Sequence, residues 1–315
     1  MQKLLLLGGS VFVGRALRQR LVAQGFDVTA VTRGLVPTEW GAAHHIACDR
    51  RDVQQLASRL RGHTFDAVVD ASCYGPEDCR ALLAALPALP TTYVLLSSAA
   101  VYQRSTAPLP FAEASPAHGD EIWGPYGRDK AAAEAVLLSA SAVPRPFVLR
   151  PPYIYGPGNN LDRERFVWAR QLANEPIFVP GDGETLIQFV GIDDVARVIA
   201  GLLDPQCTVA PGIYNLASET YVSFNQYIAL LGQITGRQSH VVHVADPTIP
   251  AREYFPFRKA HLVLSTQKLA AWSERPQTPL RQGLQATFDG IAASSDFTVE
   301  PSPREVELRR LAAGR

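Results

Sequence analysis

The sequence predicts an α/β fold, a doubly wound parallel sheet with a smaller C-terminal lobe. Three observations carry this. Strand and helix signals alternate through the first half, which implies right-handed crossovers between parallel strands. The first strand runs straight into a glycine-rich turn that opens a helix. The second half loses the alternation and gains proline and glycine.

Lys3–Leu7 is almost continuously apolar and reads as a strand buried on both faces. Phe12–Ala23 has helical spacing and stops at Gly25. Asp27–Thr32 is the second strand and His45–Ala47 a short third. Asp52–Leu60 is helical. Phe65–Asp70 follows as a strand, Pro76–Leu86 as a helix and Thr92–Ser97 as the fifth strand. Tyr126–Ala140 is a long alanine-rich helix before the sixth strand, Arg145–Arg150. Further on, Arg163–Asn174, Asp193–Leu203, Phe224–Thr235 and Leu280–Gly290 read as helices. Ile213–Leu216 and His240–Val244 read as short strands. Asp193 and Asp194 suit a helix start, where the dipole favours negative charge.

In such a sheet, ligands bind beyond the carboxyl ends of the strands. The first such end carries Gly8-Gly9-Ser10-Val11-Phe12-Val13-Gly14. The first glycine permits the sharp turn and Gly14 permits close packing of helix on strand. The amides at the helix start then face a pyrophosphate. This is the Rossmann-type dinucleotide loop, with one departure. Val11 stands where a three-glycine loop has its middle glycine, so the pyrophosphate is expected to sit further out and bind less tightly.

The second strand ends in Thr32-Arg33-Gly34, with no carboxylate to accept from a ribose 2′-hydroxyl or repel a 2′-phosphate. Arg33 can pair with such a phosphate. NADP(H) is therefore favoured, with NAD(H) the alternative. Asp49, after the third strand, is expected to accept from the adenine amino group or to cap the next helix. Arg50, Ala71 after the fourth strand, and Pro152 and Tyr153 after the sixth are further expected cofactor contacts.

Tyr126-Gly127-Arg128-Asp129-Lys130 puts tyrosine and lysine at i and i+4, on one helix face. A free tyrosine, with a pKa of about 10, is a poor base at neutral pH. A neighbouring ammonium favours its phenolate. Such a pair can exchange a proton with a substrate oxygen while a nicotinamide exchanges hydride. Ser97-Ser98 ends the fifth strand, where a hydroxyl can hold that oxygen.

Composition narrows the partners. The 315 residues are 47% apolar, and 30 Lys and Arg balance 30 Asp and Glu. This gives no electrostatic footprint for nucleic acid. The run Leu4–Leu7 is too short for a signal core or a membrane span, and no other stretch could span a bilayer. Cys48, Cys73, Cys79 and Cys207 form no CxxC pair and read as reduced thiols, which suits a cytoplasmic protein. His44-His45 has no matching carboxylate or cysteine cluster, so no metal is expected. Glu113 and His118 fall on a long loop before Tyr126 that has the position of a substrate lid. Trp123, Tyr153, Phe189 and Tyr254 are either pocket walls or core.

Together, GGSVFVG, SSAAVYQ, YGRDK, LRPPYIYGPGN, PGDGETLIQFVGIDDVA and YNLAS resemble the extended short-chain dehydrogenases/reductases, or NAD-dependent epimerase/dehydratases. The resemblance runs from Lys3 to about Gly290. It implies a catalytic set of Ser98, Tyr126 and Lys130. Ser98 is preferred to Ser97 because it stands three residues before Val101-Tyr102. Lys130 is also implied to hold the nicotinamide ribose. A homodimer through the helices near Pro76 and Tyr126 is implied as well. VTRG, FPFR at Phe255–Arg258 and the loop lacking its middle glycine are similar to the chloroplast stem-loop-binding subgroup, which includes plant RNA-binding proteins. Ile187-Gln188 stands where nucleotide-sugar enzymes carry a diphosphate-clamping arginine; Arg163, Arg165 or Arg258 are candidate substitutes. Ala99-Ala100 replaces the Asp-Glu pair of the sugar dehydratases.

The division expected is 1–156 as the dinucleotide-binding domain, rejoined by about 188–217. Residues 157–187 and 218–302 form the substrate lobe, and 303–315 a charged tail that frays. The expected function is an NAD(P)-dependent oxidoreductase or epimerase. It would act by hydride transfer on a carbonyl or hydroxyl of a small molecule, sugar-like compounds included. The alternative is a dinucleotide-binding protein whose main role is to bind RNA or a protein partner.

Overall fold

The computed structural model describes residues 1–293 and 297–313. In chain order these form β1 (Lys3–Leu7), α1 (Phe12–Ala23), β2 (Asp27–Thr32), β3 (His44–Ala47), α2 (Val53–Leu60), β4 (Ala67–Asp70) and α3 (Pro76–Ala85). Next come β5 (Thr92–Leu96), α4 (Pro125–Ser139), β6 (Arg145–Arg150), β7 (Tyr153–Tyr155), α5 (Glu164–Leu172), β8 (Pro176–Pro180) and β9 (Leu186–Gly191). The remainder is α6 (Ile192–Leu203), β10 (Gly212–Asn215), β11 (Tyr221–Ser223), α7 (Phe224–Thr235), β12 (His240–Val244), α8 (Leu280–Ala292) and α9 (Pro303–Ala313).

Two compact units emerge. The first comprises Met1–Ile154, Val190–Glu219 and Leu264–Gln277; the second comprises Tyr155–Phe189, Thr220–Val263 and Thr278–Arg315. Leu264–Gln277, placed in the lobe by sequence, thus returns to the first unit.

The first unit is built on a seven-stranded sheet, β10-β6-β5-β4-β1-β2-β3. Every pairing in it is parallel. Alternate residues of β1 face opposite ways, as strand geometry requires. Leu4 and Leu6 pack with Leu17 and Leu21 of α1 and Val195 and Ile199 of α6. Leu5 and Leu7 pack with Leu56 of α2, Leu82 of α3 and Leu137 of α4. One strand therefore anchors helices on both faces, which is the doubly wound architecture. Asp193 and Asp194 lie in the first turn of α6, as their charge suits.

A buried polar group ties α4 to the strand ends. The Arg150 guanidinium grips the Glu134 carboxylate through Nε (3.0 and 3.2 Å) and Nη2 (2.5 Å). The Ser97 hydroxyl donates to the same carboxylate. Burial alone would lower the pKa of Arg150, but Glu134 outweighs it and holds the guanidinium above its ordinary value.

In the second unit, β8 and β12 pair in parallel and β9 pairs antiparallel with β11. These short strands, apart from β12, gave no clear alternation in the sequence; two prolines bound β8. An aromatic core holds the unit. Phe189 stacks on Tyr227 at 4.9 Å, and Phe224 meets Phe255 edge-on at 4.9 Å and lies 5.9 Å from Phe257. The FPFR motif is thus a packing element. Phe189 and Tyr254 are core residues too.

The tail expected to fray is the helix α9. Its Glu305 is buried against Arg170 of α5, with bonds of 3.0 and 2.7 Å. The sequence could not show this burial, because the partner lies 135 residues away. Among the described residues, no helix is long and apolar enough to cross a membrane.

Two outcomes follow from these buried charges. Glu134→Ala strands the Arg150 charge and is expected to cost about 3–5 kcal/mol, read by chemical denaturation; a loss under ~1 kcal/mol would show the pair to be dispensable. Glu164 is buried, and burial, its largest influence, raises its carboxyl above the ordinary value, against opposing bonds from Asn159 (3.1 Å) and Tyr227 (3.5 Å). The folded chain then holds this proton more tightly than the unfolded chain. Its contribution is full below the unfolded glutamate range and is lost as pH rises through the folded pKa. Glu164→Gln should therefore gain thermal stability relative to wild type as pH rises from about 4 to about 8. A Tm difference that stays flat across that range would contradict this.

Candidate active site

The carboxyl ends of β1, β2, β3 and β4 surround a cavity of about 300 Å³ in the first unit, walled by residues 8–11, 32–36 and 48–51 with Ser72, Tyr74 and Asp78. The glycine loop forms one wall because α1 comes unusually close to β1. A Cβ on Gly14 would lie 2.4 Å from the Gly9 nitrogen and 2.9 Å from its Cα, so no larger residue fits without moving backbone. Phe12 holds φ at 31°, sparsely populated for a residue with a side chain. Such strain collects at ligand-binding turns.

Val11 needs no glycine backbone, since its φ is −126°. Its side chain is half-exposed on the cavity wall. Leu35, Val36 and Tyr74 are also exposed large apolar residues on this wall, Leu35 at 72% and Tyr74 at 59%. An apolar lip of this kind, beside polar groups, suits a flat, mostly apolar ligand surface.

Of the expected cofactor contacts, Gly8, Ser10, Val11, Arg33, Asp49 and Arg50 line the cavity. Phe12, Val13 and Gly14 lie in α1 behind it. Ala71, Lys130, Pro152 and Tyr153 lie outside its walls. Asp49 does not cap the next helix. Asp52 does so, accepting from the Gln55 amide at 2.9 Å, while Asp49 accepts from the Arg51 amide at 3.0 Å.

Arg50 has a structural duty. It forms two bonds to Asp70 (2.5 and 2.7 Å) and a third to the Asp78 carbonyl (2.8 Å). Burial opposes its charge, but Asp70 more than compensates and raises its pKa. Tyr93 donates to the same Asp70 at 2.9 Å, and burial pushes its phenol well above the usual value. Among the described residues, Arg33 makes no ion pair or hydrogen bond through its guanidinium, and it lines the cavity. Arg51, which the sequence reading passed over, lines it too and lies 3.8 Å from Asp78.

Ser98 follows β5, and Tyr126 and Lys130 lie on α4. The Ser98 hydroxyl accepts from the Ala100 amide at 3.2 Å. Gly127 brings α4 onto the same residue: a Cβ there would lie 2.4 Å from the Ala100 carbonyl oxygen. Ser97 is turned away into the core, bonded to Glu134.

Lys130 is only 4% exposed. Its ammonium donates to the carbonyls of Cys73 (2.5 Å) and Leu96 (2.9 Å), just past the ends of β4 and within β5. The rings of Tyr74 and Tyr126 flank it, with centroids at 5.5 and 6.0 Å. An ammonium has three donors, and two are used here. Tyr74 gave no sequence signal, because only the fold brings it to Lys130.

Glu113 is fixed: its carboxylate accepts from the Asn215 amide at 2.9 Å and its carbonyl from Arg150 at 3.2 Å. It is a brace of the first unit, not a free lid residue. In the second unit, Gln188 is buried and Arg165 binds Asp162 at 2.9 Å. Cys48, Cys73, Cys79 and Cys207 are free thiols. Among the described residues, no group of three or more His, Cys, Asp or Glu is placed to hold a metal ion.

A parallel sheet with this loop, this cavity and a helix-borne tyrosine–lysine pair defines a Rossmann-type dinucleotide-binding protein. The NAD dependent epimerase/dehydratase family model matches residues 4–217, and the chain belongs to that family. It is similar to the chloroplast stem-loop binding protein of 41 kDa b of Arabidopsis thaliana, 29% identical over 95% of this chain and 83% of that protein. It is also similar to the human epimerase family protein SDR39U1, 26% identical over 93% of this chain and 98% of that one. Its fold matches that of UDP-glucose 4-epimerase from Thermotoga maritima, with a TM-score of 0.78 at 19% identity, covering 94% of this chain and 100% of that chain.

Val11→Gly removes a side chain from the cavity wall without straining the backbone. It is expected to tighten NADPH about tenfold, equivalent to ~1.4 kcal/mol, by calorimetry. Unchanged or weaker binding would show that Val11 does not limit the approach of the pyrophosphate.

Proposed function

We propose that this protein is an NADP(H)-preferring oxidoreductase of the epimerase/dehydratase family, acting on a carbonyl or hydroxyl of a small molecule. The observation that carries this is the buried Lys130 ammonium beside Tyr126, with two of its three donors engaged by carbonyls.

The residues fit a dinucleotide. Close packing at Gly14 sets the start of α1 tightly behind the loop, where helix-start amides suit a pyrophosphate. Leu35 and Val36 offer an apolar wall for the adenine and Asp49 an acceptor for its amino group. Arg33 lacks an acidic partner and suits a 2′-phosphate, with Arg51 on the same wall. The third N–H of Lys130 suits a ribose hydroxyl. When bound, the nicotinamide supplies hydride transfer.

Tyr126 gives or takes the proton on the substrate oxygen. Ser98 donates to that oxygen and orients it. Lys130 places positive charge beside the phenol ring. Val11 and the exposed lip favour a dinucleotide that exchanges between turnovers, which suits net reduction. An epimerase returns the hydride to the same substrate and gains from a cofactor that stays bound.

RNA binding is the second reading, favoured by the similarity to the stem-loop binding protein. The balanced charge of the chain counts against it.

Calorimetry with NADPH and NADH on wild type and Arg33→Ala is the direct test. NADPH is expected to bind about tenfold tighter than NADH, with that margin lost in Arg33→Ala. Equal or tighter NADH binding in wild type would remove the NADP(H) assignment. Turnover in a carbonyl screen should vanish in Tyr126→Phe; unchanged turnover would end the catalytic reading. RNA affinity that falls steeply with salt and survives Tyr126→Phe would carry the second reading instead.

A further inference from the structure

We propose that Tyr74 is the seat of the nicotinamide-side ribose, a cofactor-binding residue that also positions the Lys130 ammonium. This rests on the dinucleotide reading above.

The ring of Tyr74 is closer to the Lys130 ammonium than the ring of Tyr126 is, 5.5 against 6.0 Å. The residue before it, Cys73, supplies the shorter of the two carbonyl bonds to that ammonium. Residues 73 and 74 thus approach Lys130 twice, by a carbonyl and by a ring face. An ammonium is attracted to the negative face of an aromatic ring.

The turn is braced. The Tyr74 amide donates to the Asp78 carboxylate at 2.8 Å. The Asp78 carbonyl accepts from Arg50, whose guanidinium is clamped by Asp70 at the end of β4. A side chain on a braced turn is held in place before any ligand arrives. Yet Tyr74 is 59% exposed and lines the cavity that the glycine loop walls, together with a neighbouring one formed with Pro76, Arg80 and Asp129. A large ring fixed in solvent gains by being covered.

The chemistry of the covering group is constrained. It must accept the remaining N–H of Lys130 and pack against an aromatic face. A pyrophosphate accepts but has no apolar face, and the loop amides already suit it. An adenine has the face, but Arg33, Leu35 and Val36 mark its end of the cavity. A ribose has both, hydroxyls as acceptors and a C–H face for the ring. The ribose beside Lys130 is the one on the nicotinamide side.

The test titrates wild type, Tyr74→Phe and Tyr74→Leu with NADPH and NADH, and with ADP as a probe of the adenosine half. Tyr74 is exposed, so all three should melt within about two degrees of one another. Tyr74→Leu is expected to lose about tenfold or more on both dinucleotides and nothing on ADP. Tyr74→Phe keeps the ring and should stay within about twofold of wild type. Dinucleotide affinity unchanged in Tyr74→Leu would overturn the proposal. An equal loss on ADP would overturn it too, by placing Tyr74 at the adenosine end. Tyr74→Phe failing as Tyr74→Leu does would overturn the ring-face argument in favour of the hydroxyl. If wild type binds neither dinucleotide nor ADP, the dinucleotide reading itself falls; if it binds them and Tyr74→Leu is unaffected, only the Tyr74 proposal falls.

Discussion

Glu134 and Arg150 form a charge pair with about 3% of each residue exposed, and the α4 side of the first unit is arranged around it. Glu134 sits one helical turn beyond Lys130 on α4, and Arg150 ends β6. The Ser97 hydroxyl at the end of β5 joins them. Arg150 also lies over the ring of Tyr102 at 4.9 Å, and Tyr102 donates to Asn215 at 2.6 Å. Three neighbouring strand ends and one helix are thereby locked in register. A buried pair of this kind adds little net stability over an apolar substitute, but breaking it is costly. Its effect here is positional: it fixes the height of α4 against the sheet and so where Tyr126 and Lys130 stand.

A second buried pair organises the dinucleotide end. Asp70 binds Arg50 and Tyr93 beneath the cavity, and Arg50 reaches on to the start of α3. The cavity floor is therefore a closed set of charges that neutralise one another. Arg33 is left as a cation on the wall with no such partner. Polar groups that satisfy each other build the scaffold, and those left over are available for a ligand. Ser97 is likewise bonded into the core through Glu134, while the Ser98 hydroxyl beside it accepts from the Ala100 amide.

Much of this was legible in the chain. The alternation of strands and helices, the loop at residues 8–14 and the tyrosine–lysine spacing are local patterns, and local patterns survive in sequence. Gly14 could be assigned to close packing because glycine at that step has few other uses. Other residues could not be read. Arg50 lines the cavity, but its clamp on Asp70, twenty positions away, could not be read. The residues from Pro303 looked like a solvated tail, because their burial depends on Arg170. Tyr74 carried no motif at all. Each depends on a contact between distant segments, and residue type alone does not reveal such a contact.

By itself, then, the sequence determined the doubly wound sheet and the place of the glycine-rich loop after its first strand, since hydrophobic period and glycine placement are one-dimensional signals. The tertiary structure decided which charges are free. A charge is functional or structural according to what faces it across the fold, and that pairing is set only when the strands and helices have closed on one another.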